Sequence, residues 1–442
     1  MSDKEQTICI VGCGFLGGYL CRRLLGTRPQ EDPEFKLIVV DKLKKSAFGK
    51  SPITASLKDN PNLEYRWNSA GDPWKLLDDF AQGIDAVIYT AAIADVPYAI
   101  KNPIDTLTTN VINPAVFMEF LKAINFGGRV IMMSSESSYG HQEVPKNVAW
   151  SGINEDTATI PKHTNIYGVS KFAQEGVAYV AGKTGLKVIV LRSGTMYGAG
   201  SRPDQAIPIF VGQALSGTAI TLEGGSQTRD FNHVDNVVDA ILAVLDAPEP
   251  DVVGQVFNIG SGTEMRFDDL AKSIKRALKS QSNIEIKPWR PGEEGLRIKL
   301  DISKAQKILK YEPRVQLFPD GLADVAEYVA FYDLMWSKEE VARLRGLIGT
   351  DKEMMAQLMR EQMATEEKVE EDKNFLIQQV IKSKAGQQQF PPKPKEESPL
   401  PIENKVEAQQ PRELSEEQKL LVKKAQELRT EEKTEEFPPK PE

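Results

Sequence analysis

A tyrosine and a lysine four residues apart, Tyr167 and Lys171, have side chains suited to moving a proton. On a helix this spacing puts the phenol and the ammonium on one face. An unperturbed tyrosine has a pKa of about 10, so action as a base at about pH 7 requires a fall of roughly three units. A neighbouring cation supplies about one to three units, and a second positive charge on a bound molecule would help. The same pair also occurs by chance on helices, so the rest of the chain must decide whether this pair is catalytic.

A glycine-rich loop follows the first apolar run of the chain. Residues 7–11 predict a strand, and an apolar-periodic helix extends to about residue 25. Between them the sequence reads Gly12-Cys13-Gly14-Phe15-Leu16-Gly17. A strand followed by Gly-x-Gly-x-x-Gly at the start of a helix is typical of dinucleotide binding. The glycines allow a tight turn, and the helix N-terminus faces the pyrophosphate.

An acidic residue ends the second predicted strand, which covers residues 35–40. Asp41 follows that strand at the distance from the glycine loop that dinucleotide-binding proteins use. A carboxylate there accepts hydrogen bonds from ribose hydroxyls and repels a 2'-phosphate, so the sequence favours NAD over NADP. The alternative is that Asp41 is a solvated turn residue.

Strands and helices continue to alternate, which predicts an α/β fold with a doubly wound parallel sheet of the Rossmann type. Polar clusters follow the strands, and the carboxyl ends of the strands are where open parallel sheets bind ligands. The further strands are predicted at 63–66, 86–90, 129–133 and 187–191, and the helices at 104–124 and 167–181.

The pattern becomes less regular after residue 194, so we predict an NAD-binding domain at 1–194 and a smaller α/β substrate-binding domain at 195–335, some of whose segments return to the first. The second domain contains predicted helices at 233–245 and 267–278 and a strand at 255–259. Residues 336–442 predict a charged, helical and Pro-rich tail that is partly disordered. It begins with a capping box, Ser337 with Glu340.

The tail has two further features. Helical periodicity extends over 351–381, and after a Pro- and Gln-rich stretch at 387–410 one amphipathic helix is predicted at 415–432. Phe-Pro-Pro-Lys-Pro occurs twice, from residues 390 and 437. The repeat is either a polyproline ligand for a protein partner or part of a solubilising tail.

Composition narrows the function classes. The chain has 442 residues, of which 40% are hydrophobic, enough for a sizeable core. Its net charge of -8 argues against nucleic-acid binding. The polar start and the absence of a long apolar run predict a cytoplasmic protein without a membrane span. Three cysteines, all near the start, and three histidines predict no metal site.

Taken in this order, the motifs of the first 335 or so residues resemble the extended short-chain dehydrogenase/reductases, the NAD-dependent epimerase/dehydratase family that acts on nucleotide sugars. The motifs that carry the resemblance are the glycine loop, Asp41, Asp72, Ala91-Ala92, Asn110-Val111, Ser134-Ser135, Tyr139-Gly140, Tyr167 with Lys171, Leu191-Arg192, Arg229-Asp230-Phe231, His233-Val234-Asp235, Phe257-Asn258-Ile259-Gly260, Arg290-Pro291-Gly292 and Asp301-Ile302-Ser303.

The resemblance implies a catalytic triad of Ser135, Tyr167 and Lys171. Ser135 would hydrogen-bond the sugar hydroxyl, and Tyr167 would take its proton while hydride leaves the same carbon for the nicotinamide. Lys171 would bind the nicotinamide ribose and stabilise the phenolate. Any of these residues could have an ordinary structural role instead, such as a strand-end cap for Ser135.

The same resemblance implies the contacts with cofactor and substrate. NAD would be held by the tyrosine and lysine of the triad and by Gly12, Gly14, Phe15, Leu16, Gly17, Asp41, Asp72 at the adenine, Ala91, Ala92 and Asn110. The nucleotide sugar would contact Ser135, Thr195, Arg229 and Arg290, the two arginines at its diphosphate. Each arginine could instead pair with a carboxylate of the protein. The family commonly forms homodimers through the helices that carry Asn110 and Tyr167.

Two departures from the family pattern bear on the reaction. Val11 stands where the first glycine of the longer family loop would be. After Ser135 the chain reads Glu136-Ser137, where sugar 4,6-dehydratases have an acid and a base in Asp-Glu. One carboxylate is kept, so Glu136 is a candidate acid or base. We therefore expect an epimerase of the 4-epimerase type. A dehydratase, decarboxylase or dehydrogenase, or an NAD-binding scaffold that presents its tail to a partner, remain alternatives.

Overall fold

Short runs rich in Val, Ile and Leu form a parallel sheet that is buried on both faces, as such strands require. The structure is a computed structural model that describes residues 6–26, 35–42, 57, 59–141, 150–157, 165–289 and 295–350. Its strands are β1 (Gln6–Val11), β2 (Phe35–Val40), β3 (Leu63–Arg66), β4 (Ala86–Tyr89), β5 (Arg129–Ser135), β6 (Lys187–Ser193), β7 (Thr195–Tyr197), β8 (Ile220–Glu223), β9 (Thr228–Arg229), β10 (Phe231–His233), β11 (Val256–Ile259), β12 (Met265–Arg266) and β13 (Ile284–Lys287).

Seven of these strands form one sheet in the order β11-β6-β5-β4-β1-β2-β3. All of its neighbours pair in parallel. The chain builds outward from β1 in one direction and from β4 in the other, so the strand order reverses between these two. Open sheets bind ligands at such a switch point, beyond the carboxyl ends of the strands. The predicted doubly wound parallel sheet is confirmed.

Helices connect the strands and cover the sheet. They are α1 (Phe15–Gly26), α2 (Leu77–Ala81), α3 (Val96–Lys101), α4 (Pro103–Leu107), α5 (Asn113–Ala123), α6 (Ile166–Lys183), α7 (Ala206–Leu215), α8 (Val234–Asp246), α9 (Glu249–Val252), α10 (Phe267–Ala277), α11 (Ser303–Leu309), α12 (Leu322–Tyr328) and α13 (Lys338–Thr350). The long helix predicted at 104–124 is α4 and α5 joined by a π-helical turn, Thr108–Ile112. None of the helices in these ranges is long and apolar enough to cross a membrane.

Three two-stranded sheets lie outside the main sheet: β7 with β10, β8 with β13, and β9 with β12. These pairs were not predicted, since strands of two to four residues carry no readable periodicity. The strand predicted at 255–259 is β11, which pairs with β6 at the edge of the main sheet. The segment 195–335 therefore contributes both to the main sheet and to structure outside it, and its boundaries as a domain stay a prediction.

Two clusters of buried apolar side chains stabilise the fold. The first lies around β1, α1 and α8 and includes Leu20, Val237 and Phe257, all essentially inaccessible. The second combines α7, α10 and α12 with the last described helix, α13, through Leu344 and Ile348. Burial of such side chains is the main favourable term in folding.

The predicted capping box begins the segment that contains α13. The Ser337 hydroxyl accepts a hydrogen bond from the Glu340 amide at 3.3 Å, and the Glu340 carboxylate accepts from the Ser337 amide at 2.8 Å. The predictions for 351–381, 387–410, 415–432 and the repeated Phe-Pro-Pro-Lys-Pro lie outside the described residues.

Replacing Ile348 by alanine is expected to lower the free energy of unfolding by about 2–5 kcal/mol, because it leaves a cavity in the second cluster. The measurement is urea unfolding followed by circular dichroism. Ile286→Ala is the matched control, since that side chain is 70% exposed and its loss should cost less than about 0.5 kcal/mol. Equal effects of the two substitutions would show that α13 adds nothing to this core.

Candidate active site

The glycine loop after β1 lies at the switch point of the sheet. Gly12 has a φ of +102°, which favours glycine, and a Cβ there would lie 2.5 Å from the Ala91 amide nitrogen. A Cβ on Gly17 would collide with the Gly12 carbonyl oxygen, whereas at Gly14 it would meet nothing within 4 Å. The loop therefore packs tightly against the start of the β4–α3 connection and leaves open space beside Gly14.

The other residues predicted for the cofactor surround this loop. Asp41 follows β2, and its carboxylate accepts a hydrogen bond from the Cys13 amide at 2.8 Å. Asp72 forms an ion pair with Lys75 at 2.6 Å. Ala91 and Ala92 follow β4 and are half-buried, Phe15 is half-buried at the start of α1, and Leu16 is buried beside it.

Asn110 connects the loop after β4 to helix α6. It is fully buried in the π-helical turn, where its side chain accepts from the Ile93 amide at 2.8 Å and donates to the Ile93 carbonyl at 2.9 Å. It also donates to the Ser170 hydroxyl at 2.9 Å. π-turns are frequent at functional sites. Asn110 thus fixes the helix that carries Tyr167 and Lys171 against the loop that follows Ala91 and Ala92.

Ser135 and Tyr167 lie together at the carboxyl end of β5. Asn165 caps helix α6 by accepting from the Gly168 amide at 2.9 Å, which sets Tyr167 in the first turn. The Ser135 hydroxyl accepts from the Ser137 amide at 3.2 Å. Burial raises the pKa of Tyr167, whereas a hydrogen bond with Ser135 acts to lower it. Tyr167 is therefore a phenol in this environment.

Lys171 is buried one turn further along the helix. Its ammonium donates to the Met133 carbonyl at 3.0 Å and to the Gln174 side-chain oxygen at 2.9 Å. Burial lowers the pKa of Lys171 to about 8, although the nearby Glu175 raises it. An ammonium has three N–H donors, so one remains for a ligand hydroxyl.

Arg202 is a cation that acts to lower the pKa of Tyr167. The Lys171 side chain extends to Met133 and Gln174, and its role in stabilising the phenolate stays a prediction. Arg202 follows β7 in a glycine-containing loop and pairs with Asp204 at 3.0 Å. Sequence analysis missed Arg202 and Gln174. A basic residue in a loop after a strand end, and the i+3 spacing from the lysine, were the available signals.

A buried ion pair holds α6 against the sheet. Glu175 accepts from Arg192 at 3.0 and 2.7 Å, and it also accepts from the Ser134 hydroxyl. The Arg192 guanidinium lies 4.3 Å from the centre of the Tyr139 ring, and the Tyr139 hydroxyl donates to Asn258 at 2.8 Å. This network joins α6 with β5, β6 and β11.

Glu136 is the second carboxyl group of the site. It follows Ser135 directly, is only 5% exposed, and accepts a hydrogen bond from the Thr195 hydroxyl at 2.8 Å through Oε1. Its other oxygen, Oε2, has no partner among the described residues. Burial raises the pKa of Glu136 to about 8 and the nearby Asp230 adds to this, whereas Arg229 and the Thr195 bond lower it.

Besides Ser135, three residues were predicted to contact the substrate, and two of these three can be located. Thr195 begins β7 with its hydroxyl bonded to Glu136. Arg229 lies in β9, donates to the Thr228 carbonyl at 2.9 Å and has its guanidinium 5.8 Å from the centre of the Phe267 ring. Arg290 lies outside the described residues.

A doubly wound sheet with a glycine loop at its switch point and a serine, a tyrosine and a lysine beside it defines an NAD-dependent enzyme of the short-chain dehydrogenase/reductase type. Comparison with known proteins identifies the family within this class of enzymes. The chain belongs to the NAD dependent epimerase/dehydratase family, whose model matches residues 8–260.

Individual proteins that are similar in sequence to this chain agree with the family match. The dTDP-glucose 4,6-dehydratase of Streptomyces niveus is 30% identical over 321 residues, which are 72% of this chain and 90% of that protein. A trifunctional UDP-glucose 4,6-dehydratase/UDP-4-keto-6-deoxy-D-glucose 3,5-epimerase/UDP-4-keto-L-rhamnose-reductase of Arabidopsis thaliana is 28% identical over 314 residues, and the chain spans 44% of its length.

Solved structures share the fold. The UDP-glucuronic acid 4-epimerase of Bacillus cereus, in complex with UDP-glucuronic acid and NAD, superposes with a TM-score of 0.64 at 27% identity, over 73% of this chain and 99% of that one. The dTDP-glucose 4,6-dehydratase DesIV of Streptomyces venezuelae, with NAD bound, gives 0.65 at 26% identity, over 75% of this chain and 99% of that one.

The cofactor of this chain is NAD, as predicted. The residues of the site fit that molecule. The loop leaves open space beside Gly14 at a helix N-terminus, where backbone amides attract a pyrophosphate. Asp41 offers a carboxylate at the end of β2, and Lys171 keeps one N–H for a ribose hydroxyl.

Replacing Glu136 by glutamine is expected to remove a pH-dependent loss of stability. The folded-state pKa of about 8 lies above the ordinary 4.5, so the stabilisation from protonation is complete below about pH 4.5 and is lost as the pH rises through 8. Between about pH 6 and pH 9 the wild type should lose on the order of 2 kcal/mol more than Glu136→Gln. Urea unfolding at each pH measures this, with exposed Glu285→Gln as control. Parallel pH profiles for all three proteins would contradict it.

Proposed function

We propose that the protein is a nucleotide-sugar epimerase that oxidises one carbinol carbon of the sugar transiently and reduces it again from the other face. The observation that carries this is the pairing of Ser135 with Tyr167 at the buried end of β5, beside Lys171 and next to the carboxyl group of Glu136, which is followed by Ser137. The Bacillus cereus structure, a UDP-glucuronic acid 4-epimerase, and the family match support the same reaction class.

The first step is removal of a proton from the sugar hydroxyl. Ser135 hydrogen-bonds that hydroxyl, and Tyr167 accepts its proton as the carbon is oxidised to a ketone. Burial works against ionisation of Tyr167, so a phenolate has to be stabilised by charge and hydrogen bonds. Ser135 and Arg202 supply these within the protein. In the return step Tyr167 donates the proton to the reduced oxygen.

The cofactor is held by the glycine loop, Asp41 and Lys171. NAD, when bound there, takes up hydride from the sugar carbon and gives it back. Lys171 has two of its N–H groups fixed by Met133 and Gln174, so the direction of the third is set before a ligand binds. Such preorganisation reduces the entropic cost of orienting the reactants.

The diphosphate of the substrate is assigned to Arg229 together with Arg290. Arg229 is half-buried, is oriented by the Thr228 carbonyl and by Phe267, and faces the carboxyl group of Glu136. A guanidinium binds phosphate oxygens in a bidentate manner, which a dianion requires. Thr195 supports the same region by hydrogen-bonding Glu136.

The second candidate is a nucleotide-sugar dehydratase, because the buried Glu136 could protonate a leaving hydroxyl. Its pKa of about 8 keeps it protonated at neutral pH, as an acid must be. Elimination also needs a base for the neighbouring carbon, and the next residue is Ser137, which has no carboxylate. Epimerisation needs no such base at a second carbon, so it is the better-supported reaction.

Replacing Tyr167 by phenylalanine is expected to lower kcat by about 100- to 10,000-fold, since the proton acceptor is lost. The assay is a panel of UDP-, dTDP-, GDP- and CDP-sugars with product NMR and absorbance of NADH. An epimerase gives a product of unchanged mass without accumulation of NADH. Tyr332→Phe, an exposed tyrosine far along the chain, is the matched control. Loss of water identifies a dehydratase, net NADH a dehydrogenase, and full activity of Tyr167→Phe rejects the mechanism.

The protein is further assigned as a homodimer through helices α4, α5 and α6. Large apolar side chains exposed on these helices and on the π-helical turn include Ile104 at 74%, Ile112 at 54% and Tyr179 at 66%. Where exposed apolar side chains form one patch, the patch marks a protein interface. Because Asn110 hydrogen-bonds Ser170 on the helix that carries Lys171, pairing there would stabilise the back of the active site.

The double variant Ile104→Lys with Tyr179→Lys is expected to be monomeric, because two charges per copy would be buried in the interface. Light scattering on a sizing column should give the wild type twice the chain mass of 49.1 kDa and the variant that mass once. Ile286→Lys, at an exposed position in β13, serves as control and should stay dimeric. A wild type with the mass of one chain would contradict the assignment.

A further inference from the structure

The unpartnered oxygen of Glu136 is the polar atom of the site that the steps above leave unused. The side chain is 5% exposed, and Oε2 meets no hydrogen-bond partner in the described ranges, whereas Oε1 accepts from Thr195. Leaving a buried polar atom unsatisfied is costly, so each such atom in a native protein calls for an explanation. Glu136 directly follows Ser135, which is assigned to the sugar hydroxyl, so a group of the sugar near the reacting carbon is the partner that we consider.

The charges that face Glu136 come from three elements. Arg229 in β9 is the cation, Asp230 in the following turn is a second buried carboxyl group, and Tyr167 on α6 is a phenol. The Thr195 hydroxyl in β7 is neutral. The guanidinium of Arg229, the cation that acts on Glu136, is already assigned to the diphosphate.

We propose that Glu136 selects nucleotide sugars with an uncharged, hydroxyl-bearing substituent beside the reacting carbon and discriminates against hexuronates. This rests on the proposed function. A hydroxyl can accept from a protonated carboxyl group and can donate to an ionised one, so it completes the hydrogen bonding of Oε2 in either state. A uronate can only accept, and it would add a third carboxyl group to a buried site.

Attraction of a uronate by Arg202 would oppose this discrimination. Arg202 is a cation near the site, since it acts to lower the pKa of Tyr167. Its guanidinium is already engaged by Asp204 at 3.0 Å and lies 3.9 Å from Asp95. These two carboxylates offset its charge, whereas Oε2 of Glu136 is unpartnered. Once Glu136 is ionised, repulsion at Glu136 therefore exceeds attraction at Arg202.

The discrimination should grow with pH, because ionisation of Glu136 changes a donor to an anion. Burial raises the pKa of this carboxyl group to about 8, so the change falls within an accessible range. The diphosphate and the carboxylate of the substrate stay ionised throughout it. Protonation of Tyr167 or Lys171 affects both substrates alike, so it cancels in the ratio of their kcat/KM values.

The test compares UDP-glucose with UDP-glucuronic acid, which differ only at the exocyclic carbon, between about pH 6 and pH 9. We expect the ratio of kcat/KM for UDP-glucose to kcat/KM for UDP-glucuronic acid to rise by about 10-fold between about pH 7 and pH 9, as Glu136 ionises. In Glu136→Gln the ratio should be independent of pH and should lie about 10-fold below the wild-type value at about pH 9, even if both rates decrease. Glu285→Gln should keep the wild-type ratio and its pH dependence.

Equal or preferred use of UDP-glucuronic acid by the wild type at about pH 9 would overturn the inference, as would a pH-independent ratio. The wild-type profile alone decides this if Glu136→Gln does not fold. A protein that turns over neither compound nor any other sugar of the panel overturns the proposed function itself, and this inference with it.

Discussion

The buried ion pair between Arg192 and Glu175 is the interaction on which the active site depends. Two nearly inaccessible charges are stable together only because they are paired and hydrogen-bonded, and removal of one leaves the other uncompensated. Glu175 belongs to the same helix as Tyr167 and Lys171, and Arg192 belongs to the strand beside β5. The pair therefore fixes the position of the proton-transfer groups relative to Ser135. Residues that never touch a ligand determine the geometry of those that do.

Burial that makes this geometry rigid also sets the protonation states. It raises the pKa of Tyr167 and of Glu136 and lowers that of Lys171, in each case against the charged form. In this environment Tyr167 and Glu136 are protonated at neutral pH. Proton abstraction then requires a partner that favours the phenolate, and Arg202 is the cation that acts on it. The effect of Arg202 on Tyr167 is an interaction that spacing alone did not predict.

Local periodicity was enough to predict the sheet, and polar residues after strand ends were enough to predict where the site lies. The alternation of buried strands with helices is a property of contiguous residues, so it can be read directly. The partners of individual side chains could not be read in this way. Thr195 bonds Glu136 across 59 positions of the chain, and Lys171 bonds Met133 across 38. Such contacts follow from how the elements pack, and the i and i+4 spacing predicted only that two side chains share a face.

Two neighbouring buried carboxyl groups illustrate how structure separates a supporting residue from a functional one. Asp230 accepts four hydrogen bonds, from the amides of Ser261, Gly262 and Leu300 and from the Ser261 hydroxyl. Its pKa is raised by burial only to about 6, because these donors favour the ionised form. Glu136 has the single bond from Thr195 and a pKa of about 8. Asp230 is thus satisfied by the fold and connects its loops, whereas Glu136 retains an unused oxygen beside Ser135, where only a ligand can complete it.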